Sequence, residues 1–222
     1  MGKPATRPTA RLDAGAIIDA AVRVIDAEGL DGLTMRRLGR EMGADPTAMY
    51  RHFRNKDDLQ LAICDRLLGD MLASLEPRDG WRDTLRDMAW KAWETYHRHP
   101  HLAHLLSRSP EVLDHHERLS EIALAALTEA GLSDADAALS HHLLVGYTSG
   151  FASASAQNTE GDVLAAWRRS YALLPAAEFP NLVRLAPVLF PDAEEQFRFG
   201  IELFLDGVER LAAESTRRTP RA

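Results

Sequence analysis

The chain has 222 residues, 45% of them apolar, a formal net charge of −7 and a single cysteine, Cys64. That apolar content excludes global disorder, one cysteine excludes an internal disulfide framework and fits a reducing compartment, and no apolar run reaches the roughly 18 residues a membrane span needs. The charge is uneven: residues 1–60 carry 10 Lys/Arg and 9 Asp/Glu, net +1, and residues 61–222 carry 16 and 24, net −8, which excludes broad nucleic-acid binding by the larger part.

Residues 1–11, MGKPATRPTAR, lack the apolar stretch of a secretory signal. A soluble, cytoplasmic protein is expected. With Lys3, Arg7, Arg11 and two prolines this segment reads as a flexible arm, either a frayed terminus or a strand that touches phosphates or a minor groove. Asp13 to Glu28 predicts a helix, because Ile17, Ile18, Ala21, Val24 and Ile25 follow the spacing of one buried face. Gly29 is expected to stop it.

The stretch from Leu33 to Lys56 predicts a helix, a tight turn and a second helix. Leu33, Leu38 and Met42 are apolar before Gly43-Ala44-Asp45-Pro46, and Met49 and Phe53 repeat the spacing after it. Thr34 is placed to cap the first helix and Asp45 the second, with Pro46 in the opening turn. Residues 34–56 hold six Lys/Arg against two Asp/Glu, a net of +4. A basic island with Thr47, Tyr50, Arg51 and His52 on its outer face points to DNA.

Asn55 caps a longer helix from Lys56 to about Leu75, with Leu59, Ala62, Ile63, Leu67, Met71 and Leu75 along one face. Lys56 opposes the helix dipole there, which makes sense if it faces a phosphate. Further helices are expected at Trp81–His99, His101–Ser107, Pro110–Ala130, from Ser133 to about Ala156, at Leu164–Tyr171, and from Asp192 to about Ala213. Pro175, Pro180, Pro187 and Pro191 punctuate an expected loop, and the tail from Ser215 reads as disordered. Gly146, Gly150 and Ala154 recur at intervals of four, a spacing that lets another helix approach and suggests an inter-subunit face. No alternating strand pattern appears. The fold class is all-α, divided into an arm (1–11), a three-helix DNA-binding domain (12–56), a helical ligand-binding and dimerisation domain (57–213) and a tail (214–222).

The sequence contains no phosphate-binding glycine loop, paired CxxC, HExxH or GxSxG. No enzyme and no cofactor is expected. His97, His101 and His104 would share a helix face, but Pro100 interrupts that helix and no carboxylate or cysteine joins them locally, so no metal site is assigned. Met71, Trp90, Trp93, Tyr96, Tyr147, Phe151 and Trp167 are spread over several helices of the acidic part. They form either core or the wall of an apolar cavity with a few polar groups such as Arg108, His142 and Gln157.

The segments AEGLDGLTMRRLGREMG and PTAMYRHFRNKDDL, with Tyr50-Arg51-His52-Phe53 followed by Asn55-Lys56, resemble the TetR family of transcriptional regulators over residues 13–62. GWRDTLRDMAWKAWETYHRHP, LTEAGLSDADAALSHHLLVGYTSG and AEEQFRFGIELFLDGVERL extend a weaker resemblance to the tetracycline-repressor subclass. The resemblance implies a homodimer that sets its recognition helices, about Pro46 to Phe53, into the major grooves of a palindromic operator and is released by a small effector. It makes Thr47 and Arg51 the base-edge candidates. Thr34, Tyr50, His52 and Lys56 become phosphate contacts assisted by Arg36 or Arg37, with Met49 and Phe53 on the buried side. It places the dimer face on 136–156 and 193–212. Effector candidates are Met71, Trp90, Trp93, Leu105, Arg108, His142, Tyr147 and Phe151. Met71 stands at one position, and Leu105 near another, where tetracycline repressors use histidines, so the expected effector is apolar or aromatic rather than magnesium–tetracycline. The alternative reading is a DNA-binding regulator controlled by a protein partner.

Overall fold

The computed structural model describes residues 13–107, 113–157 and 161–218, and among them all regular structure is helical. Helix α1 (Ala14–Gly32) opens on Asp13, whose carboxylate accepts from the Ala16 N–H at 2.8 Å. Gly29, at φ 74°, breaks the run as expected, but one more turn follows before Leu33. Helix α2 (Met35–Met42) is capped by Thr34, which accepts from the Arg37 N–H at 3.0 Å, and closes on Gly43 in the left-handed region. Helix α3 (Pro46–Met49) is one turn long, shorter than the expected run to Phe53; Tyr50–His52 continue it as a turn. Helix α4 (Lys56–Ala73) starts at Asn55, which accepts from the Asp58 N–H at 2.8 Å. Asp57 and Asp58 in its first turn suit the helix dipole and offset Lys56. Each such cap is worth about 1 kcal/mol.

The remaining helices are α5 (Trp81–Arg98), α6 (Leu102–Ser107), α7 (Asp114–Glu129), α8 (Asp134–Gln157), α9 (Gly161–Ala172), α10 (Pro180–Leu185) and α11 (Ala193–Arg218). Two differences from the sequence reading stand out. The proline-punctuated loop contains α10 and a 3-10 turn over Ala186–Val188, because Pro180 sits in an opening turn where no N–H is needed. The last helix continues to Arg218, so Ser215–Arg218 are helical rather than disordered. The expected start of α7 at Pro110 and the arm at 1–11 lie outside the described residues.

The chain forms two compact units. The first joins residues up to Ser74 with His101–Ser120. Its core is built from Ile17, Ala20, Val24, Leu33, Leu38, Met49, Phe53, Leu59 and Ile63, with α1 packed on α2 and α4, α2 on α3, and α4 on α6. The buried stripe of α4 runs Leu59, Ile63, Cys64, Leu68 and Met71, with the expected Ala62 and Leu67 partly buried against the same core, and Cys64 is fully enclosed. Burial pushes the Cys64 thiol up to about 12, with the neighbouring Asp65 adding to the shift.

The second unit joins Leu75–Pro100 with residues from Glu121 on. Here α5 packs on α8 and α11, and α8 packs on α11, while α9, α10 and the 3-10 turn pack on one another. Its core includes Leu85, Met88, Trp93, Leu127, Leu144, Phe197, Ile201, Leu205 and Val208. Arg86 ties α5 to α11 through two bonds to Glu202, at 2.7 and 3.1 Å, and Arg82 adds Glu202, Asp206 and Glu209.

Candidate DNA-binding head and effector region

The head presents a short helix whose inward side is fixed and whose outward side is polar. Met49 is completely buried and Phe53 nearly so, which anchors α3 and the turn after it. Thr47, Tyr50, Arg51 and His52 are exposed, Tyr50 at 55%. Pro46 is half-buried against Gly39 of α2; a Cβ on Gly39 would lie 2.9 Å from the Ala44 carbonyl oxygen and 3.2 Å from a Pro46 ring carbon. Only glycine lets the turn come this close.

Not every basic residue of the island is equally available. Arg36 is exposed. Arg37 donates to Glu28 at 2.7 Å and to Glu41 at 2.9 Å, and these carboxylates raise its pKa above the ordinary arginine value. Lys56 is half-buried, and its Nζ donates to the Leu30 carbonyl at 3.3 Å, tying the start of α4 to the end of α1. Thr34 is exposed while it caps α2. Arg54 pairs with Asp58 at 2.9 Å and holds that carboxyl below its usual range. Glu28 and Glu41 as partners of Arg37, and the Leu30 carbonyl as the partner of Lys56, were not read from the sequence. Only the i,i+4 spacing of Arg37 and Glu41 signals any of these contacts locally.

In the second unit an aromatic cluster joins α5, α8 and α11. Trp93 stacks on Phe197 at 4.6 Å and on His97 at 5.0 Å, and lies 5.8 Å from Phe151. Tyr147 lies nearly parallel to Phe197, at 5.6 Å and 4°, and stacks on Phe151 at 5.4 Å. Trp90 meets Phe197 edge-on at 5.2 Å. Such pairs are worth roughly 0.5–1.5 kcal/mol each beyond the area they bury. The structure thus brings Trp90, Trp93, Tyr147 and Phe151 together around Phe197, which was not among the effector candidates read from the sequence. The Tyr147 hydroxyl donates to the Gln196 carbonyl at 3.3 Å, and a methyl at Gly200 would overlap it. Burial pushes the Tyr147 phenol above its ordinary value. Met71 and Leu105 are buried in the first unit, and Arg108 lies outside the described residues. His142 is exposed on α8 and is not among the rings of this cluster. Among the described residues no group of three or more His, Cys, Asp or Glu comes together to hold a metal ion, and no helix is long and apolar enough to cross a membrane.

Helices α8 and α11 also leave an apolar face uncovered. Leu139 is 72% exposed and Leu143 61% on α8; Phe199 is 67% and Leu203 56% on α11. Gly146, Gly150 and Ala154 are exposed on α8 as well, with open space above both glycines.

A capped helix, a glycine turn and a second helix with donors outward, on the basic part of an acidic chain, define a helix-turn-helix DNA-binding regulator. Family comparison is specific. The family described as bacterial regulatory proteins, tetR family, matches residues 17–63, and the tetracyclin repressor-like C-terminal domain matches residues 73–212. The chain belongs to the TetR family of bacterial transcriptional regulators. It is 29% identical to the HTH-type transcriptional repressor DrrR1 of Streptomyces coeruleorubidus, over 96% of this chain and 83% of that protein. Apo ActR from Streptomyces coelicolor superposes with a TM-score of 0.81 at 29% identity, covering 93% of this chain and 99% of ActR; ActR bound to actinorhodin superposes at 0.77, covering 91% and 99%. BioQ, of Mycobacterium smegmatis, on its double-stranded DNA operator superposes at 0.60 and 26% identity, over 90% and 99%.

Proposed function

We propose that this regulator is a homodimeric repressor that binds a palindromic operator and releases it when a flat apolar or aromatic molecule binds. The observation that carries the reading is the outward set Thr47, Tyr50, Arg51 and His52 above the buried Met49 and Phe53. Arg51 supplies the fork that pairs with guanine, and Tyr50 and His52 supply donors for phosphates. Thr34, Arg36 and Lys56 lie in the same unit and add phosphate contacts, with Arg37 shaping the surface through its two carboxylate partners. The apolar face of α8 and α11 supports pairing of two copies, since an uncovered apolar patch of this kind marks an interaction site. The aromatic cluster supports the effector class: ActR, of similar fold, is known bound to actinorhodin.

The test is fluorescence anisotropy of the purified protein against fragments from upstream of its own gene, at low and moderate salt. A saturable, salt-sensitive interaction is expected, weakened across all sequences by Tyr50→Ala. Failure of every upstream fragment to bind at low salt would refute the repressor reading. An effector arm uses a panel of planar aromatic compounds. Release of DNA by none of them, with release by a cell extract protein, would favour control by a protein partner.

A further inference from the structure

We propose that Asp45 holds the Thr47 hydroxyl as a hydrogen-bond acceptor toward the DNA, so that this position reads an exocyclic amino group, N6 of adenine or N4 of cytosine. The inference rests on the DNA-binding reading above and adds the chemistry of one base contact. The Thr47 hydroxyl lies 2.6 Å from Asp45 Oδ1, and the same oxygen accepts from the Thr47 N–H at 2.8 Å. An ionised carboxylate has no proton to give. The hydroxyl hydrogen therefore lies on the bond to Asp45, and only the lone pairs of Oγ1 remain to face outward. These bonds in turn hold the Asp45 carboxyl below its usual range, so it stays ionised at neutral pH.

The pair is placed rather than loosely attached. Ala44 N–H donates to the Gly39 carbonyl at 2.9 Å, and Pro46 rests on Gly39, so the backbone on both sides of Asp45 is fixed against α2. Met49 anchors the other end of α3 in the core. Both Asp45 and Thr47 are exposed.

In the major groove, guanine offers the acceptors O6 and N7, and thymine offers O4 and a methyl group. Two acceptors and a negative charge at Asp45–Thr47 repel the first and leave O4 of the second without a donor. Adenine and cytosine present an amino group that satisfies the lone pair. The task of reading guanine falls to Arg51, whose guanidinium carries donors alone.

In vitro selection from a random duplex library tests this with the full-length wild type, Thr47→Val, Thr47→Ser and Asp45→Ser, each first shown to melt like the wild type. Thr47→Val removes the hydroxyl and keeps the shape, while Thr47→Ser keeps the hydroxyl and removes the methyl. Asp45→Ser retains a capping oxygen that can itself donate, so the Thr47 hydroxyl is freed to donate as well. The wild type and Thr47→Ser are expected to select adenine or cytosine at one position per half-site, by about three- to tenfold over the other bases. Thr47→Val is expected to lose that preference and no other, and Asp45→Ser to admit guanine or thymine there. A selected sequence unchanged in Thr47→Val overturns the inference, as does a thymine preference lost in Thr47→Ser, which would assign the contact to the methyl group. Enrichment of no sequence by the wild type overturns the DNA-binding reading itself.

Discussion

Two surfaces among the described residues, the outer side of the head and the outer side of α8 and α11, are opposite in chemistry. In the head, the apolar residues of the recognition element, Met49 and Phe53, are buried and its polar ones face out. On α8 and α11, Leu139, Leu143, Phe199 and Leu203 face out beside glycines and an alanine. Donors in water lose little while they wait for a charged polymer, because water satisfies them. Exposed leucine and phenylalanine gain only by being covered, at roughly 1.5–3 kcal/mol per fully buried side chain. The difference suits the first surface to the reversible, salt-sensitive contact proposed for DNA and the second to the lasting one proposed for a second copy.

The sharpest way to break this contrast is to charge the apolar face. Leu143→Glu with Leu203→Glu is expected to turn the protein monomeric at micromolar concentration, read by sedimentation velocity, and to weaken binding to a palindrome by more than about tenfold through loss of the second head. An unchanged sedimentation coefficient would return that face to solvent. Within the head, Met49→Ala is expected to cost about 2–5 kcal/mol of unfolding free energy. Its neighbour Tyr50→Ala should stay within about 0.5 kcal/mol of wild type while losing DNA affinity. Equal effects of the two on stability would erase the inside–outside distinction drawn for α3. In the second unit, Gly200→Ala pushes against the Tyr147 hydroxyl and should destabilise by about 1–3 kcal/mol, with the indole fluorescence of the Trp90–Trp93 cluster shifted.

The smallest effect concerns acid. The Arg86 guanidinium holds the Glu202 carboxyl below the usual glutamate range through their hydrogen bond, with help from Arg82 and against a desolvation that raises it. A carboxyl lowered on folding contributes stability that is present above its unfolded value and lost as pH falls through the lower folded value. The pair is substantially exposed, so the contribution is about 1 kcal/mol or less. Thermal melts between about pH 6 and pH 3 should show the wild type losing more stability than Glu202→Gln. Parallel curves would show that the ion network between α5 and α11 adds nothing.

The head was legible because its signals are local. Asp13, Thr34, Asp45 and Asn55 each cap a helix within three residues of themselves, and Gly43 closes α2 as its position announced. Contacts that join distant positions were not legible. Lys56 reaches Leu30, 26 residues away; Phe197 collects Trp90, Trp93, Tyr147 and Phe151 from two other helices. Periodicity marks such residues as inward-facing without naming what they meet. The prolines near α10 misled for a different reason. Proline breaks a helix interior but suits its first turn, and Pro180 occupies that turn. The length of α3 was overestimated because Met49 and Phe53 keep helical spacing through a turn that is no longer α-helical.

Cys64 gives the head its own chemical reporter. The thiol is single in the sequence, enclosed in the α4 stripe, and its pKa of about 12 leaves almost no thiolate at neutral pH. A thiol of this kind reacts with an aromatic disulfide reagent only after the surrounding helices have parted. The labelling rate of native protein thus measures how often each head opens. DNA that grips the closed head should slow that rate in proportion to occupancy.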